Sequence, residues 1–232
     1  MSLKIGIENG AEGRVIAWVL EHPGCTSYGE DSQAALQNLP AAVQAYNEWL
    51  IKHKHGFWKV PDNQDFKVEE IWDVYQVDEN YDVVSNGYEV NAWFRYDWKP
   101  LTEVDVERGL MTLSWSRKDL LAVINGLEQE ALDEKQPGER WSINGILNHA
   151  GGAEWWYLDR LGLAFPRDEV PAEPGERLEK VRLCLENVLP DLVNSDLVVG
   201  VDGEFWSPRK VLRRALWHER DHTFHIKKLL SQ

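Results

Sequence analysis

Cysteine is nearly absent from this chain. Only Cys25 and Cys184 occur, far apart and in no paired motif, which excludes a disulfide framework and a thiolate metal site and fits a reducing compartment. Positive charge is also scarce. Lys and Arg total 25 against 39 Asp and Glu, a formal net charge of −14 at pH 7, so phosphate backbones and anionic membranes are repelled over most of the surface and no nucleic-acid partner is expected. No run approaches the ~18 apolar residues of a spanning helix. The opening MSLKIGIENGAEGR has no basic segment followed by an apolar stretch, so the expectation is a cytoplasmic chain with no membrane partner. Internal repeats and long low-complexity tracts are missing as well.

Tryptophan, in contrast, is abundant: 12 in 232 residues, spread from Trp18 to Trp217. Most are expected to fill core volume between layers of structure. Trp155, Trp156 and Trp217 flank the histidine-bearing segments and are the candidates to line a pocket.

The first half of the chain reads as β-rich. Lys4 to Ile7 and Arg14 to Leu20, joined by NGAEG, predict a hairpin. Asp31 is a plausible cap for a helix over DSQAALQNLPAAVQAYNEWLIKHK, with Leu36, Leu39, Val43, Tyr46 and Leu50 at helical spacing and Pro40 expected to kink or divide it. FKVEEIWDVYQV and YEVNAWFRYDW alternate apolar and polar residues as half-buried strands do, separated by the turn-rich DENYDVVSNG. From Ser116 onward the pattern becomes helical, in four segments: RKDLLAVINGLEQEALDE, WSINGILNHAGGAEWWYLDRLGL, GERLEKVRLCLENVLPDLV and SPRKVLRRALWHERDHTFHIKKLL. The predicted class is α+β, with a small α/β domain carrying extra strands over 1–108 and a four-helix bundle with one long crossover over 109–232.

The last segment carries the chemistry. His218, His222 and His225 fall within roughly 60° of one another on a helix and continue a seam that includes Val211, Ala215 and Leu229. Imidazoles stand where a packed helix would put aliphatic side chains. Two of them one turn apart can turn a nitrogen towards a single divalent metal. His218-Glu219-x-x-His222 also fits the HExxH pattern of zinc peptidases. The extended peptidase pattern fails, because His225 and Lys228 stand where it requires a glycine and a histidine. A third ligand is therefore expected upstream, and His149 in INGILNHAGGAEWW is the candidate, on the side of Ile146 and Ala153 among small residues. Three neutral nitrogens leave coordination positions open, the arrangement of a catalytic site.

The helical half resembles the DinB/YfiT-like superfamily of four-helix metalloproteins, through WSINGILNHAGGAEWWYLDRLG and LWHERDHTFHIKKLL. The resemblance implies a metal triad at His149, His218 and His222. The implied ion is divalent: zinc or nickel first, with iron and manganese as further options. It also implies, frequently, a homodimer. Characterised members of that family include transferases and isomerases that use low-molecular-weight thiols. Residues 3 to 55 are similar to the HicB-like fold, through the hairpin and HPGCTSYGEDSQAALQNLPAAVQAY, although no DNA-binding tail follows. That similarity implies a structural or ligand-covering module.

Two functions follow as expectations. In the first, the metal activates a thiol or a water for transfer to, or hydrolysis of, a small substrate. Glu219, about 100° around the helix from His218, is the candidate general base. In the second, the bundle is a non-catalytic metal- or ligand-binding module and the first domain binds a partner protein. His225 is open between a supporting group and a ligand.

Overall fold

The computed structural model describes residues 2–11, 13–61 and 65–231. Among these, nine strands, six α-helices and three 3-10 turns make a mixed α+β chain. It divides into two compact units, residues 1–99 with 198–210 and residues 100–197 with 211–232.

In the first unit, β1 (Leu3–Ala11) and β2 (Arg14–Val19) form the expected antiparallel hairpin. Glu12, inside its connection, lies outside the described residues. β3 (Thr26–Gly29) pairs with β2, and β4 (Phe66–Asp73) runs parallel to β1, giving the order β3-β2-β1-β4. A parallel pair needs a crossover, and α1 (Ser32–His53) lies within it. Asp31 accepts from the Ala34 amide at 2.7 Å, and Ala35, Leu39, Val43, Tyr46 and Leu50 supply the buried stripe of α1. Pro40 does not divide this helix. It is exposed, on the side where water can take the carbonyl bond that a proline leaves unmade. Gly6 is required by close approach, since a Cβ there would lie 2.6 Å from the Phe94 ring.

β5 (Tyr75–Val77), β6 (Val83–Val84) and β7 (Tyr88–Val90) form a second small sheet. The strand expected to run on from Tyr88 to Trp98 stops at Val90. Arg95–Trp98 is instead a 3-10 turn, closed by Asp97, which accepts from the Phe94 amide at 3.0 Å. A further hairpin, β8 (Val199–Val201) and β9 (Glu204–Trp206), was not anticipated. Its turn residues Asp202 and Gly203 have φ of 52° and 76°, the left-handed pair that a two-residue hairpin demands, so the Asp-Gly step was a readable signal.

The second unit is helical. α2 (Glu103–Ile124) begins well before Ser116 and before the 108/109 boundary read from the sequence. The cause is a reciprocal cap: Thr102 Oγ1 accepts from the Asp105 amide at 3.1 Å, and Asp105 accepts from the Thr102 amide at 2.9 Å. At the other end Gly126 takes φ of 82°, so the segment expected as one helix breaks there and resumes as the short α3 (Gln129–Asp133). α4 (Ile143–Asp159) starts at Ser142, whose hydroxyl accepts from Gly145 at 3.2 Å. α5 (Pro174–Val188) starts at Glu173 with Pro174 in its first turn.

α6 (Pro208–Leu229) starts at Ser207, whose Oγ accepts from the Lys210 amide at 3.2 Å. From Val211 onward α6 belongs to the second unit. One apolar cluster joins Leu120 of α2, Ile143, Ile146, Leu147 and Ala150 of α4, Leu178 of α5, and Ile226 and Leu229 of α6. α2 and α6 touch closely at Gly109, where a Cβ would lie 2.9 Å from Leu212. No helix among the described residues is long and apolar enough to cross a membrane.

Candidate metal centre

α4 brings His149, and α6 brings His218 and His222, to one point. The Nε2 atoms of His149 and His218 are 3.1 Å apart, as are those of His218 and His222. Each of the three residues has a ligand atom within 4.8 Å of the other two. His218 and His222 are buried at 7% and 9% exposure, whereas His149 is half-buried. Trp141 stacks on the His149 ring at 4.5 Å and 25°, and the Tyr157 ring stands edge-on to His218 at 6.1 Å. These aromatics hold the imidazole planes.

Hydrogen bonding alone does not explain the arrangement. A ring nitrogen offers either one N–H or one in-plane lone pair. His218 Nε2 faces two other Nε2 atoms at the same distance, so its single site can serve only one of them well. A cation at the focus takes all three lone pairs at once. Metal–nitrogen bonds of about 2.0–2.1 Å set adjacent ligand atoms roughly 3.4 Å apart in a tetrahedron and roughly 2.9 Å apart in an octahedron. The observed 3.1 Å lies between these. Protonation state fits as well: burial first, then the neighbouring His222, His149 and Arg214, push the His218 pKa well below the ordinary imidazole value. The ring is thus neutral at physiological pH, the state a ligand requires. The three histidines fit a divalent metal.

His225 is not in this group. Its Nε2 lies 2.9 Å from Glu139 Oε2, in the connection before α4. Its ring centroid is 6.4 Å from that of His222.

Glu219 is placed in a different cluster, built from one charged residue on each of α2, α4, α5 and α6. Arg117 Nε donates to Glu219 Oε2 at 2.6 Å, and Arg182 Nη2 is 3.1 Å from Glu219 Oε1. Arg182 also holds Glu154 through Nε at 2.7 Å and Nη2 at 2.9 Å, and Arg117 Nη2 reaches Glu154 at 3.2 Å. The remaining guanidinium nitrogens cap carbonyls, Arg182 Nη1 on Leu113 at 2.7 Å and Arg117 Nη1 on Leu178. Burial alone would raise the Glu219 pKa. Arg182 and Arg117 outweigh it and hold the carboxyl below its ordinary range, which makes Glu219 a poor proton acceptor.

This quartet was not read from the sequence, although its members occupy core-facing positions: Arg117 lies between Leu113 and Leu120, and Arg182 between Leu178 and Leu185, at four and three spacing. A charge at such a position is the signal that was there to be used.

Of the tryptophans singled out, Trp155 and Trp156 line a cleft of about 350 Å³ with Gly152, Arg167, Val170 and Arg177. Trp217 is buried and not among its lining residues. Comparison with protein-family models, with curated proteins and with solved structures gives no match for this chain.

Proposed function

We propose that this protein is a metal-dependent enzyme of the DinB/YfiT-like kind, with its helical unit a four-helix bundle that holds one divalent ion at His149, His218 and His222. The observation that carries the reading is the convergence of three imidazole nitrogens, from His149, His218 and His222, with no side chain completing the set among the described residues. Three imidazoles accept most late first-row ions, and the DinB/YfiT-like reading favours zinc or nickel, with iron and manganese as further options. When bound, such an ion is a Lewis acid that lowers the pKa of a thiol or water and polarises a substrate oxygen.

The chain's own residues do the rest. His218 and His222 keep a fixed one-turn spacing on α6, and Trp141 sets the plane of the third ligand. The Arg117–Glu219–Arg182 clamp fixes α6 against α2 and α5 at the residue after His218, so the ligands are preorganised. We assign Glu219 to this positioning. The reading further includes a small-molecule substrate, a low-molecular-weight thiol as the favoured co-substrate, a cytoplasmic location, a homodimer and a HicB-like structural module at the N-terminus.

A second reading, a non-catalytic metal-binding module, draws on one observation: Glu219, the carboxylate next to His218, is held by two arginines and is a poor base. Cobalt-loaded protein separates the two. An open position predicts a change in the visible absorption bands on adding a small thiol or azide. Bands that stay fixed at saturating additive would establish the non-catalytic module.

A further inference from the structure

The cleft lined by Gly152, Trp155, Trp156, Arg167, Val170 and Arg177 carries a charge opposite to that of the chain. With 39 acidic against 25 basic residues, an arginine here has an excess of carboxylates to choose from, yet no carboxylate lines the cleft among the described residues. Arg167 stands exposed at the rim. Arg177 is half-buried and held by carbonyls: its Nε donates to Pro171 at 2.8 Å and its Nη1 to Asn148 at 3.2 Å. The pair Gly151 and Gly152 makes room for it, since a Cβ at Gly151 would lie 3.0 Å from Arg177 Cγ. A guanidinium fixed by backbone acceptors keeps its charge and its orientation for a further anion.

The remaining walls are flat and apolar. Trp155 is 9% exposed and is fixed by an indole N–H bond to the Phe165 carbonyl at 3.0 Å. Trp156 and Val170 add apolar surface. Rigid indoles beside two arginines match a ligand with an anionic head and a planar apolar body. We infer that this cleft is a binding site for a small organic carboxylate whose carboxyl group pairs with Arg167 and Arg177 and whose flat body packs on Trp155 and Trp156. This goes beyond the metal reading and stands without it, because none of the cleft residues is a metal ligand.

The test is saturation-transfer NMR on the full chain with benzoate as probe and benzamide as its uncharged counterpart, using the native protein and the Arg167→Ala, Trp156→Ala and His149→Ala variants. Arg167 is exposed, so its loss is expected to leave the fold intact, which circular dichroism checks. Benzoate is expected to saturate, with benzamide and both cleft variants weaker by about tenfold. His149→Ala should bind like the native protein. Benzoate that does not saturate by about 10 mM, benzamide that binds equally well, or an Arg167→Ala protein that binds as the native one does overturns the inference. Loss of binding in His149→Ala alone also overturns it, by placing the anion at the histidine cluster.

Discussion

His218 and Glu219 are consecutive residues of α6, both buried, yet they belong to polar clusters that meet burial differently. The Arg117, Glu154, Arg182 and Glu219 quartet contains two cations and two anions, and its members answer one another at 2.6 to 3.2 Å. Nothing further is needed to neutralise it. The histidine cluster brings His218 Nε2 within 3.1 Å of two other nitrogens of the same kind, and no assignment of protons lets His218 satisfy both neighbours. A buried polar group left half-satisfied costs free energy, and a cation held by the three histidines would relieve it. A self-complementary cluster is architecture, and a cluster that is not self-complementary is a candidate site.

The largest effect is expected from breaking the quartet. Arg182→Met leaves Glu154 and Glu219 facing one remaining guanidinium in a buried setting, and should lower unfolding free energy by about 3–5 kcal/mol. Urea denaturation checks it. A loss within experimental scatter of zero would mean the quartet is wetter than its burial implies, and the contrast with the histidines would fail.

The histidine cluster should behave in the opposite way, with its stability contribution set by an external ligand. With free zinc at a hundred times its dissociation constant, binding adds about 2.7 kcal/mol. A chelator should therefore lower the melting temperature of the native protein and leave that of His222→Ala unchanged. Equal sensitivity of the two proteins would show that the histidines do not hold the ion.

Acid separates the clusters next. The folded pKa of His218 is lowered by burial and by its neighbours, so in metal-free protein its contribution is fully present above the unfolded value of about 6.5 and is lost as pH falls towards the folded value. Glu219 is also lowered, by its arginines acting against burial. Its contribution is present above an unfolded pKa of about 4.3 and fades only below that. Denaturation midpoints in chelator should decline from about pH 6.5 downwards in native protein and stay flatter in His218→Ala until the carboxylate range. Parallel curves for the two proteins would remove His218 as the source.

The smallest effect concerns the flank. Glu139 and His225 form a partly exposed pair at 2.9 Å, so Glu139→Ala should cost less than about 1 kcal/mol and leave metal stoichiometry unchanged. A marked loss of metal would bring His225 into the site.

How far these features were legible depends on the range over which each is encoded. α1 is written locally, in the Asp31 cap and in the spacing of Ala35, Leu39, Val43, Tyr46 and Leu50. The shared stripe of His218 and His222 is equally local. That His149 meets them depends on the packing of α4 against α6, which no single period encodes. The start of α2 was hidden because the face that follows its cap buries Gly109, Thr112 and Ser116 beside Val106 and Leu113, and small or polar residues at those positions do not read as an apolar stripe. Glu219 was harder still. A 100° offset from a buried histidine resembles a solvated flank, but α6 is covered on both sides, so residues there also face partners. The quartet is readable only when charges at core spacing on four separate segments are considered together.

Elemental mass spectrometry on protein purified without affinity tag or chelator tests the central claim most directly, run beside the His149→Ala, His218→Ala double variant. The account predicts close to one zinc, nickel, iron or manganese ion per native chain and none in the variant, with both proteins showing the same helical content. A native protein that carries no ion and takes none up on reloading, or a variant that keeps its ion, would contradict it.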